Sequence, residues 1–436
     1  MLPRPRGGAF FLLLVLSGCD KLRAFPGFEP ARAAPEPAAP AVAMGPWLLE
    51  PRPGQITVAW TTVSPSLGKV WYGPRETDRL ASEDGGPVTD HRVTLMSLQP
   101  STQYRYRIEG SPETLWFNSA PAEGGEGPIR ALVYGGTHTN GGDHALVARA
   151  AGAERPDLLL LTGNLVANAR EEPAWRAWFQ EERDLLAHAP LLAALGSLEI
   201  ADQGAAYTRF FQRRGMPAYG SLDYGPVHIA VLDSCEIAAG ATPQKGALSE
   251  AQKAWFEEDL RRVPEDRHVW VVVHEPPWSH PREGKNRGSE AVRAALLSGH
   301  RVHPVEAVFA GHEAFYERGD IDGIRYLNLG AGGAPMEDPD PQSPGVQSAA
   351  AALSYARVDV CGCHAALRVK DISGKVIDAL TLADCPTPCS VPEAALAAAA
   401  APAPPAKESP PGRKRPRRRK GDALDAGKRA AENRGR

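Results

Sequence analysis

The stretch Gly311-His312-Glu313-Ala314 decides the fold, because it directly follows an apolar run at residues 305–309. Four further turns, each polar or rich in glycine, stand in the same position after other apolar runs. Their sequences are Gly135-Gly136-Thr137-His138, Thr162-Gly163-Asn164, Gly196-Ser197-Leu198-Glu199 and His274-Glu275-Pro276-Pro277. Open α/β sheets bind ligands outside the carboxyl ends of their strands. The five turns are therefore predicted to meet at one candidate site.

The apolar runs between residues 128 and 383 are continuous rather than alternating, as expected for strands that are covered on both faces. They lie at residues 129–134, 157–161, 191–195, 227–232, 269–273, 305–309 and 325–329. Helical patterns separate several of these runs. One, at residues 249–263, begins with a capping box of Ser249 and Gln252, and another covers residues 175–186. Residues 128–384 are therefore predicted to form a layered α/β domain.

Residues 47–121 have a different pattern, in which short segments alternate apolar and polar side chains. These segments lie at residues 56–60, 69–72, 92–95 and 104–108. Short alternating strands at this spacing predict a small β-sandwich. The run LQPSTQYRY at residues 98–106 resembles a corner of fibronectin-type-III domains. The predicted fold is multidomain, with a small fibronectin-type-III-like β-sandwich followed by the layered α/β domain.

The amino-terminal segment, residues 1–18, is predicted to be an export signal with an apolar run at residues 9–16. That run is shorter than the roughly 20 apolar residues that span a bilayer. The sequence Leu16-Ser17-Gly18-Cys19 resembles a bacterial lipoprotein signal, whose cysteine is lipidated; an ordinary secretory signal is the alternative. The resemblance implies an exported protein of the bacterial cell envelope that is anchored to the membrane through Cys19. Residues 19–46 are then a Pro/Ala-rich linker.

The net charge of −3 conceals a basic tail, residues 407–436, which contains 12 Lys and Arg against 4 Asp and Glu. The rest of the chain therefore carries −11. The composition of residues 385–436 predicts disorder. The basic run at residues 413–420 is expected to bind envelope polyanions, since export argues against nucleic acid, and a solvated tail without a partner is the alternative. With 43% hydrophobic and 23% charged residues, the whole chain is unlike a fully disordered or polytopic membrane protein.

Cysteines cluster at the end of the predicted α/β domain, at Cys361, Cys363, Cys385 and Cys389. An oxidising compartment permits disulfides, so we expect two bridges of unknown connectivity. A metal cluster is the alternative. Cys235 follows an apolar strand and is expected to be a buried thiol.

Residues 47–383 resemble the calcineurin-like metallophosphoesterase superfamily, on its purple-acid-phosphatase branch. The sequence GHEAFYER at residues 311–318 is similar to the family pattern GHxH followed by an aromatic residue, Tyr, Glu and Arg. The other four turns correspond to the family's remaining strand-end motifs, in the right order. The resemblance implies two Fe, Zn or Mn ions that clamp a phosphate and activate a water molecule. It also implies a carboxylate that bridges the two ions.

The residues at the family's site positions are mostly replaced. Two aspartates, an asparagine and two histidines of the family correspond here, in chain order, to Gly136, Asn164, Ser197, Leu198 and Ala314. Only His274 and His312 remain as metal ligands, with Asn164 as a weak third. No catalytic residue is assigned, because Leu198 places an isobutyl group where the family's histidine supports the phosphate. We expect no cofactor or one weakly bound divalent metal.

Other residues of the turns are candidates for supporting the site. They are His138, Glu199, Glu313, Tyr316 and Arg318. The resemblance implies that Glu199 lies behind the ligands and that Tyr316 and Arg318 brace the site. His274 and His312 either hold one metal or are remnants that are hydrogen-bonded to backbone or water. The residues that could help to hold a metal are His138, Asn164, Glu199 and Glu313.

The leading hypothesis is an envelope lipoprotein whose metallophosphoesterase domain is a catalytically impaired pseudophosphatase that binds or scaffolds. One alternative is an active metal-dependent phosphoesterase that hydrolyses phosphate monoesters or diesters with a rebuilt, single-metal site. A third is a purely structural tether, with lipid at one end and the basic tail at the other. Any protein partner is left open.

Overall fold

The computed structural model describes residues 40–138, 142–212, 217–236, 245–283 and 288–385. The predicted signal, Cys19, Cys389 and the basic run at residues 413–420 lie outside the described residues. Among the residues that are described, no helix is both long and apolar enough to cross a membrane.

The amino-terminal part of the described chain consists of short antiparallel strands. They are β1 (Val42–Arg52), β2 (Gln55–Ser66), β3 (Lys69–Gly73), β4 (Arg79–Ser82), β5 (Val88–Met96), β6 (Gln103–Ile108) and β7 (Leu115–Asn118). They form two sheets with the orders β1-β2-β5 and β4-β3-β6-β7. Alternate side chains point to one face of each sheet, so Trp60, Tyr104 and Phe117 are buried together. The predicted small sandwich is confirmed, whereas its assignment as fibronectin-type-III-like stays a prediction.

The second domain contains two larger sheets. Its strands are β8 (Ile129–Tyr134), β9 (Leu158–Leu161), β10 (Leu191–Ala193), β11 (Gly220–Tyr224), β12 (Val227–Leu232), β13 (His268–Val273), β14 (Ala307–Ala310), β15 (Tyr316–Ile321), β16 (Ile324–Leu329), β17 (Val346–Ala350), β18 (Ser354–Cys361), β19 (His364–Asp371) and β20 (Val376–Ala383). The sheets have the orders β10-β9-β8-β18-β19-β20 and β11-β12-β13-β14-β16-β15-β17. Residues such as Val133, Leu160, Val272 and Phe309 fill the core between them. The predicted layered domain is confirmed.

Helices pack against both sheets and complete the layers. They are α1 (Asp143–Gly152), α2 (Glu172–Glu181), α3 (Arg183–Leu186), α4 (Ala205–Phe210), α5 (Glu250–Arg261) and α6 (Glu290–Val302), with a short 3₁₀ helix at Glu199–Asp202. Ser249 caps α5 by accepting a hydrogen bond from the Gln252 amide, as the capping box predicts. The helical stretch predicted at residues 175–186 is present, but it is divided into α2 and α3. The chain divides at Glu182, whose ψ is 0° and whose buried carboxylate accepts a hydrogen bond from the Tyr134 hydroxyl at 2.7 Å.

Parallel strand pairing brings the five turns to one edge of the domain. Strands β8, β9 and β10 run parallel in one sheet, and β13 and β14 run parallel in the other. Backbone hydrogen bonds join the turns: the Gly136 amide donates to the Gly163 oxygen at 2.9 Å, and the Gly311 amide donates to the His274 oxygen at 3.0 Å. The Leu198 amide also donates to Oδ1 of Asn164 at 2.9 Å, and Nδ1 of His274 lies 2.8 Å from the Thr162 oxygen. Together these contacts join all five turns.

Candidate functional site

His274 lies where the turns meet, and its side chain is fully buried. Its Nδ1 is 2.8 Å from the backbone oxygen of Thr162. Because a carbonyl oxygen only accepts hydrogen bonds, Nδ1 carries the proton and Nε2 keeps a lone pair. This Nε2 lies 3.2 Å from the Ser197 hydroxyl and 3.4 Å from Nδ1 of His312. The sheet therefore holds one imidazole with its lone pair turned into the site.

His312 is the second residue of the turn after β14 and has a left-handed backbone with a φ of 70°. Burial and, to a smaller extent, the neighbouring His312 lower the pKa of His274 to about 3. Burial and the positive charge of Lys245 lower the pKa of His312 to about 4. Both imidazoles are therefore neutral at neutral pH, which is the form that binds metal ions.

The structure adds a buried carboxylate, Glu275, to the two histidines. Its Oε1 lies 3.4 Å from Nδ1 of His312 but has no hydrogen-bond partner among the described residues. Burial raises the pKa of Glu275 to about 7. One ligand atom each of His274, Glu275 and His312 lies within 4.8 Å of the others, and we call this group the His–Glu–His trio.

Glu275 is not predicted as a ligand from the sequence. Successive residues of a strand point to opposite faces, so a residue next to His274 is expected to point away from it. Strand β13 ends at Val273, however, and the irregular turn that follows is free of this alternation. The available signal was a carboxylate directly after a strand end, in the same turn as a histidine that the family pattern marks as a ligand.

Gly136 stands where the family has an aspartate, and its backbone leaves no room for a side chain. Its φ is 61°, and a Cβ built on it would lie 2.0 Å from the backbone oxygen of Gly330. Real side chains do not approach a carbonyl oxygen so closely. The loss of the aspartate is therefore more than a change of residue type, because the backbone around Gly136 has no room for a carboxylate side chain.

Asn164 stands at the family's bridging aspartate and is tied to the neighbouring turn. Its Oδ1 accepts hydrogen bonds from the Leu198 amide at 2.9 Å and the Ser197 hydroxyl at 3.3 Å. This oxygen therefore already stabilises the third turn, in contrast to the weak ligand role that the sequence indicates. It has no negative charge with which to hold two cations together.

Glu199 braces the same turns from behind. Its buried carboxylate accepts hydrogen bonds from the backbone amides of Asn164 at 2.9 Å and Leu165 at 2.8 Å. Burial raises the pKa of Glu199 to about 7, although these amides lower it in part. The carboxylate therefore supports the backbone and lies outside the trio.

Glu313 and His138 lie near the trio but are not part of it. Burial and a hydrogen bond with Glu337 raise the pKa of Glu313 to about 8. Burial lowers the pKa of His138, and its Nε2 has no hydrogen-bond partner within the described parts of the chain. Ala314, at the family's second histidine of this motif, is buried and offers no ligand atom.

Tyr316 and Arg318 begin strand β15 and are joined to the opposite sheet. The Tyr316 hydroxyl and the Arg318 guanidinium both donate to the Asp378 carboxylate, each at 2.6 Å. This ion pair connects β15 to β20. The two residues therefore act on the site only through the packing of the two sheets.

The cysteines near the end of the domain are oxidised. Cys363 and Cys385 form a disulfide, and Cys361 is disulfide-bonded as well. Within the described residues, Cys235 is the free cysteine, and it is buried.

The residues present do not fit the pair of metal ions that the family resemblance implies. One aspartate position cannot hold a side chain, and the bridging position holds a neutral amide whose oxygen is already engaged. In the described parts of the chain, the His–Glu–His trio is the group of His, Cys, Asp or Glu side chains suited to a metal. The site fits one cation and lacks the ligands for a second.

Comparisons with known proteins give the following likenesses. Residues 129–316 match the calcineurin-like phosphoesterase family. Purple acid phosphatase 21 of Arabidopsis thaliana is 28% identical over 283 residues, which cover 58% of this chain and 61% of the relative. Acid phosphatase type 7 of Mus musculus is 27% identical over 306 residues, which cover 61% and 68% of the two chains. The match to the Arabidopsis protein thus spans about three fifths of its length.

Solved structures show the same architecture. The purple acid phosphatase PPD1 from yellow lupin seeds aligns with a TM-score of 0.65 and 16% identity over 79% of this chain and 77% of that one. The structure of PhoD aligns with a TM-score of 0.61 and 12% identity over 80% and 90% of the two chains. At these identities the likeness establishes the fold alone.

Proposed function

Because residues 129–316 belong to the calcineurin-like metallophosphoesterase superfamily, on its purple-acid-phosphatase-like branch, we propose that this protein is a pseudophosphatase of the bacterial envelope. It acts by binding or scaffolding and does not hydrolyse phosphate esters. The fold of the family is retained, and fold alone is no warrant for activity.

The backbone at Gly136 is the observation that carries this proposal. Two dications about 4 Å apart repel each other by roughly 16 kcal/mol at an effective dielectric constant of about 20. The family offsets this repulsion with carboxylates. Here the contact with Gly330 closes one aspartate position, and Asn164 is neutral at the bridge. The pair of ions is therefore not held.

Leu198 supports the same conclusion from the substrate side. A leaving group in phosphate-ester hydrolysis needs a proton, and a positioned acid contributes about 10²–10⁴-fold to the rate. The family resemblance puts a histidine at this position, and an isobutyl group can neither donate a proton nor bind phosphate. Loss of both the metal pair and this acid removes the two main contributions to catalysis.

The envelope location is proposed from the two ends of the chain. The signal-like segment that ends at Cys19 supports a lipid anchor, and the basic run at residues 413–420 supports contact with envelope polyanions. Each Lys or Arg near an anionic surface is worth about 1 kcal/mol. The folded domains are then held between a membrane anchor and a polyanion-binding tail.

The test is a phosphate-ester assay on the purified mature chain after incubation with Zn, Mn and Fe. Monoester and diester substrates are both needed, with a purple acid phosphatase as the positive control. We expect hydrolysis at the background rate, unchanged in His274→Ala. Hydrolysis above background that His274→Ala abolishes would overturn the proposal in favour of an active enzyme.

The alternative of an active phosphoesterase with a single metal is favoured by one observation, the His–Glu–His trio. One ion can polarise a phosphoryl oxygen and activate water. The same assay separates this alternative from the proposed function, since it predicts turnover that requires both His274 and a supplied metal.

A further inference from the structure

The geometry points to a single-zinc site formed by the His–Glu–His trio, in which Glu275 is a direct ligand. This inference goes beyond the proposed function, because a pseudophosphatase and an active enzyme could each bind one ion at this site. His274 and His312 are ligand positions that the family resemblance implies, whereas Glu275 is not one of them. The site therefore differs from the implied pair of ions in its third ligand and in holding one ion.

The separations between the ligand atoms match tetrahedral zinc. With metal–ligand bonds of about 2.0–2.1 Å and tetrahedral angles, neighbouring ligand atoms lie about 3.3 Å apart. His274 Nε2 and His312 Nδ1 are 3.4 Å apart, and His312 Nδ1 and Glu275 Oε1 are also 3.4 Å apart. Two edges of the ligand triangle therefore already have the required length. The third edge, between His274 and Glu275, lies within 4.8 Å.

The surroundings hold the first imidazole in the orientation that a metal requires. The Thr162 carbonyl fixes the proton of His274 on Nδ1, at 2.8 Å, so that Nε2 faces the other two ligands. A hydrogen bond from the non-ligating ring nitrogen to a backbone carbonyl or carboxylate is a regular feature of metal-binding histidines. The ring needs no rearrangement when an ion binds.

The second independent observation is the unpaired carboxylate of Glu275. The side chain is 7% exposed, and its Oε1 has no hydrogen-bond partner among the described residues. A buried, unpaired carboxylate is costly, and its usual compensation is a counter-charge or a metal ion. Two neutral imidazoles and one carboxylate offer an ion nitrogen and oxygen ligands together. The single negative charge of the carboxylate offsets half of the charge of a dication.

A pocket gives an ion access to the trio. Glu275 and His312 line a cavity of about 440 Å³, together with Lys245, Ser289 and Glu290. The Ser197 hydroxyl lies 3.2 Å from Nε2 of His274. The fourth position of a tetrahedral ion is thus open to this hydroxyl or to a water molecule.

The ligand set selects zinc-class ions. Imidazole nitrogen suits Zn²⁺ and its transition-metal neighbours, whereas Mg²⁺ and Ca²⁺ prefer sites made of oxygen ligands. Two of the three ligand atoms of the trio are imidazole nitrogens. Zn²⁺ is therefore the expected ion, and Co²⁺ is a spectroscopic substitute for it.

The experiment measures Zn²⁺ binding to the mature chain after removal of metals with a chelator. Calorimetric titration and metal analysis give the affinity and the stoichiometry, and neither depends on turnover. Glu275→Gln and His312→Ala remove one ligand each. Glu290→Gln is the matched control, because Glu290 lines the same cavity but is exposed and outside the trio. Thermal unfolding without metal checks that each variant folds.

We expect one Zn²⁺ per chain and a loss of affinity of at least about tenfold in Glu275→Gln and in His312→Ala, with Glu290→Gln unchanged. The Co²⁺ form should show the visible absorption of a tetrahedral ion in the wild type. Absence of Zn²⁺ binding would overturn the inference, as would two ions per chain. Binding of one ion that Glu275→Gln leaves unchanged would also overturn it, because the carboxylate would then not be a ligand.

Discussion

Replacement of Gly136 by alanine tests whether the loss of the metal pair is built into the backbone. Gly136 has a φ of 61°, and an added Cβ would lie 2.0 Å from the Gly330 oxygen. Ordinary van der Waals contact begins at 3.4 Å, so the two backbone segments would have to separate by about 1.4 Å. These two segments are the turns that follow β8 and β16, and they pack against each other at the site.

The expected destabilisation has two sources. A left-handed backbone costs a residue with a Cβ about 1–2 kcal/mol relative to glycine. Forcing extra atoms into a packed region costs typically about 1–3 kcal/mol more. Gly136→Ala should therefore lower the free energy of unfolding by about 2–5 kcal/mol, a large part of the roughly 5–15 kcal/mol of a typical domain.

Urea unfolding monitored by fluorescence measures this change, with two control variants in the same domain. Gly127→Ala adds a Cβ that meets no atom within 4 Å at an ordinary φ, and should change stability by less than about 0.5 kcal/mol. Gly374→Ala adds one in open space at a φ of 84°, and isolates the cost of the left-handed backbone. The excess of Gly136→Ala over Gly374→Ala is the cost of the clash.

If Gly136→Ala is as stable as Gly127→Ala, the proposed clash with the Gly330 oxygen is refuted. The backbone would then have room for a side chain, and an aspartate at this position would again be compatible with a metal pair. If the clash is confirmed, a variant in which all five replaced family residues are restored, Gly136→Asp among them, is expected to unfold at the site and to bind no second ion.

Asn164→Asp keeps an oxygen acceptor for the third turn but buries a negative charge, so we expect urea unfolding to show a loss of stability. Metal analysis should still find one Zn²⁺ per chain, and a second bound ion would contradict a site built for one ion. Burial lowers the pKa of His144, but its ion pairs with Glu181 at 2.5 Å and Glu182 at 2.6 Å outweigh this and raise it to about 9 from an ordinary 6.5. Protonated His144 therefore raises the free energy of unfolding by about 3 kcal/mol. This contribution is fully present below pH 6.5 and is lost as the pH rises through 9. Urea unfolding across this range should show that loss in the wild type relative to His144→Gln, and equal slopes would refute it. Cys19→Ser should release the protein from the membrane fraction, and unchanged fractionation would rule out Cys19 as the anchor. Deletion of the basic tail should weaken salt-sensitive binding to anionic vesicles, and unchanged binding would rule out the tail as the polyanion-binding segment.

The sequence predicts the larger features of the site because they depend on local patterns. Continuous apolar runs predict buried strands, and polar turns at their carboxyl ends predict one converging edge. His274 and His312 are identified in this way, and the structure places their ring nitrogens 3.4 Å apart. The capping box predicts the start of α5 for the same reason, since Ser249 and Gln252 are neighbours on one helical turn.

The features that the sequence does not predict depend on contacts between distant segments. Glu275 enters the site because the irregular turn after β13 brings its carboxylate beside His312, which lies 37 residues away in the chain. The division between α2 and α3 at Glu182 accompanies a hydrogen bond to Tyr134, 48 residues away. No local periodicity encodes either contact.

The sequence by itself determined that this chain has the strands, the turns and two of the histidines of a metallophosphoesterase, and that most of the family's carboxylates are gone. Only the tertiary structure decided what this loss means. It placed the Gly330 oxygen in the space that an aspartate at Gly136 would need, and it turned Glu275 toward His274 and His312. The physical reason is that residue types follow from the chain, whereas room for a side chain and the distance between ligand atoms follow from packing between segments that are far apart in it.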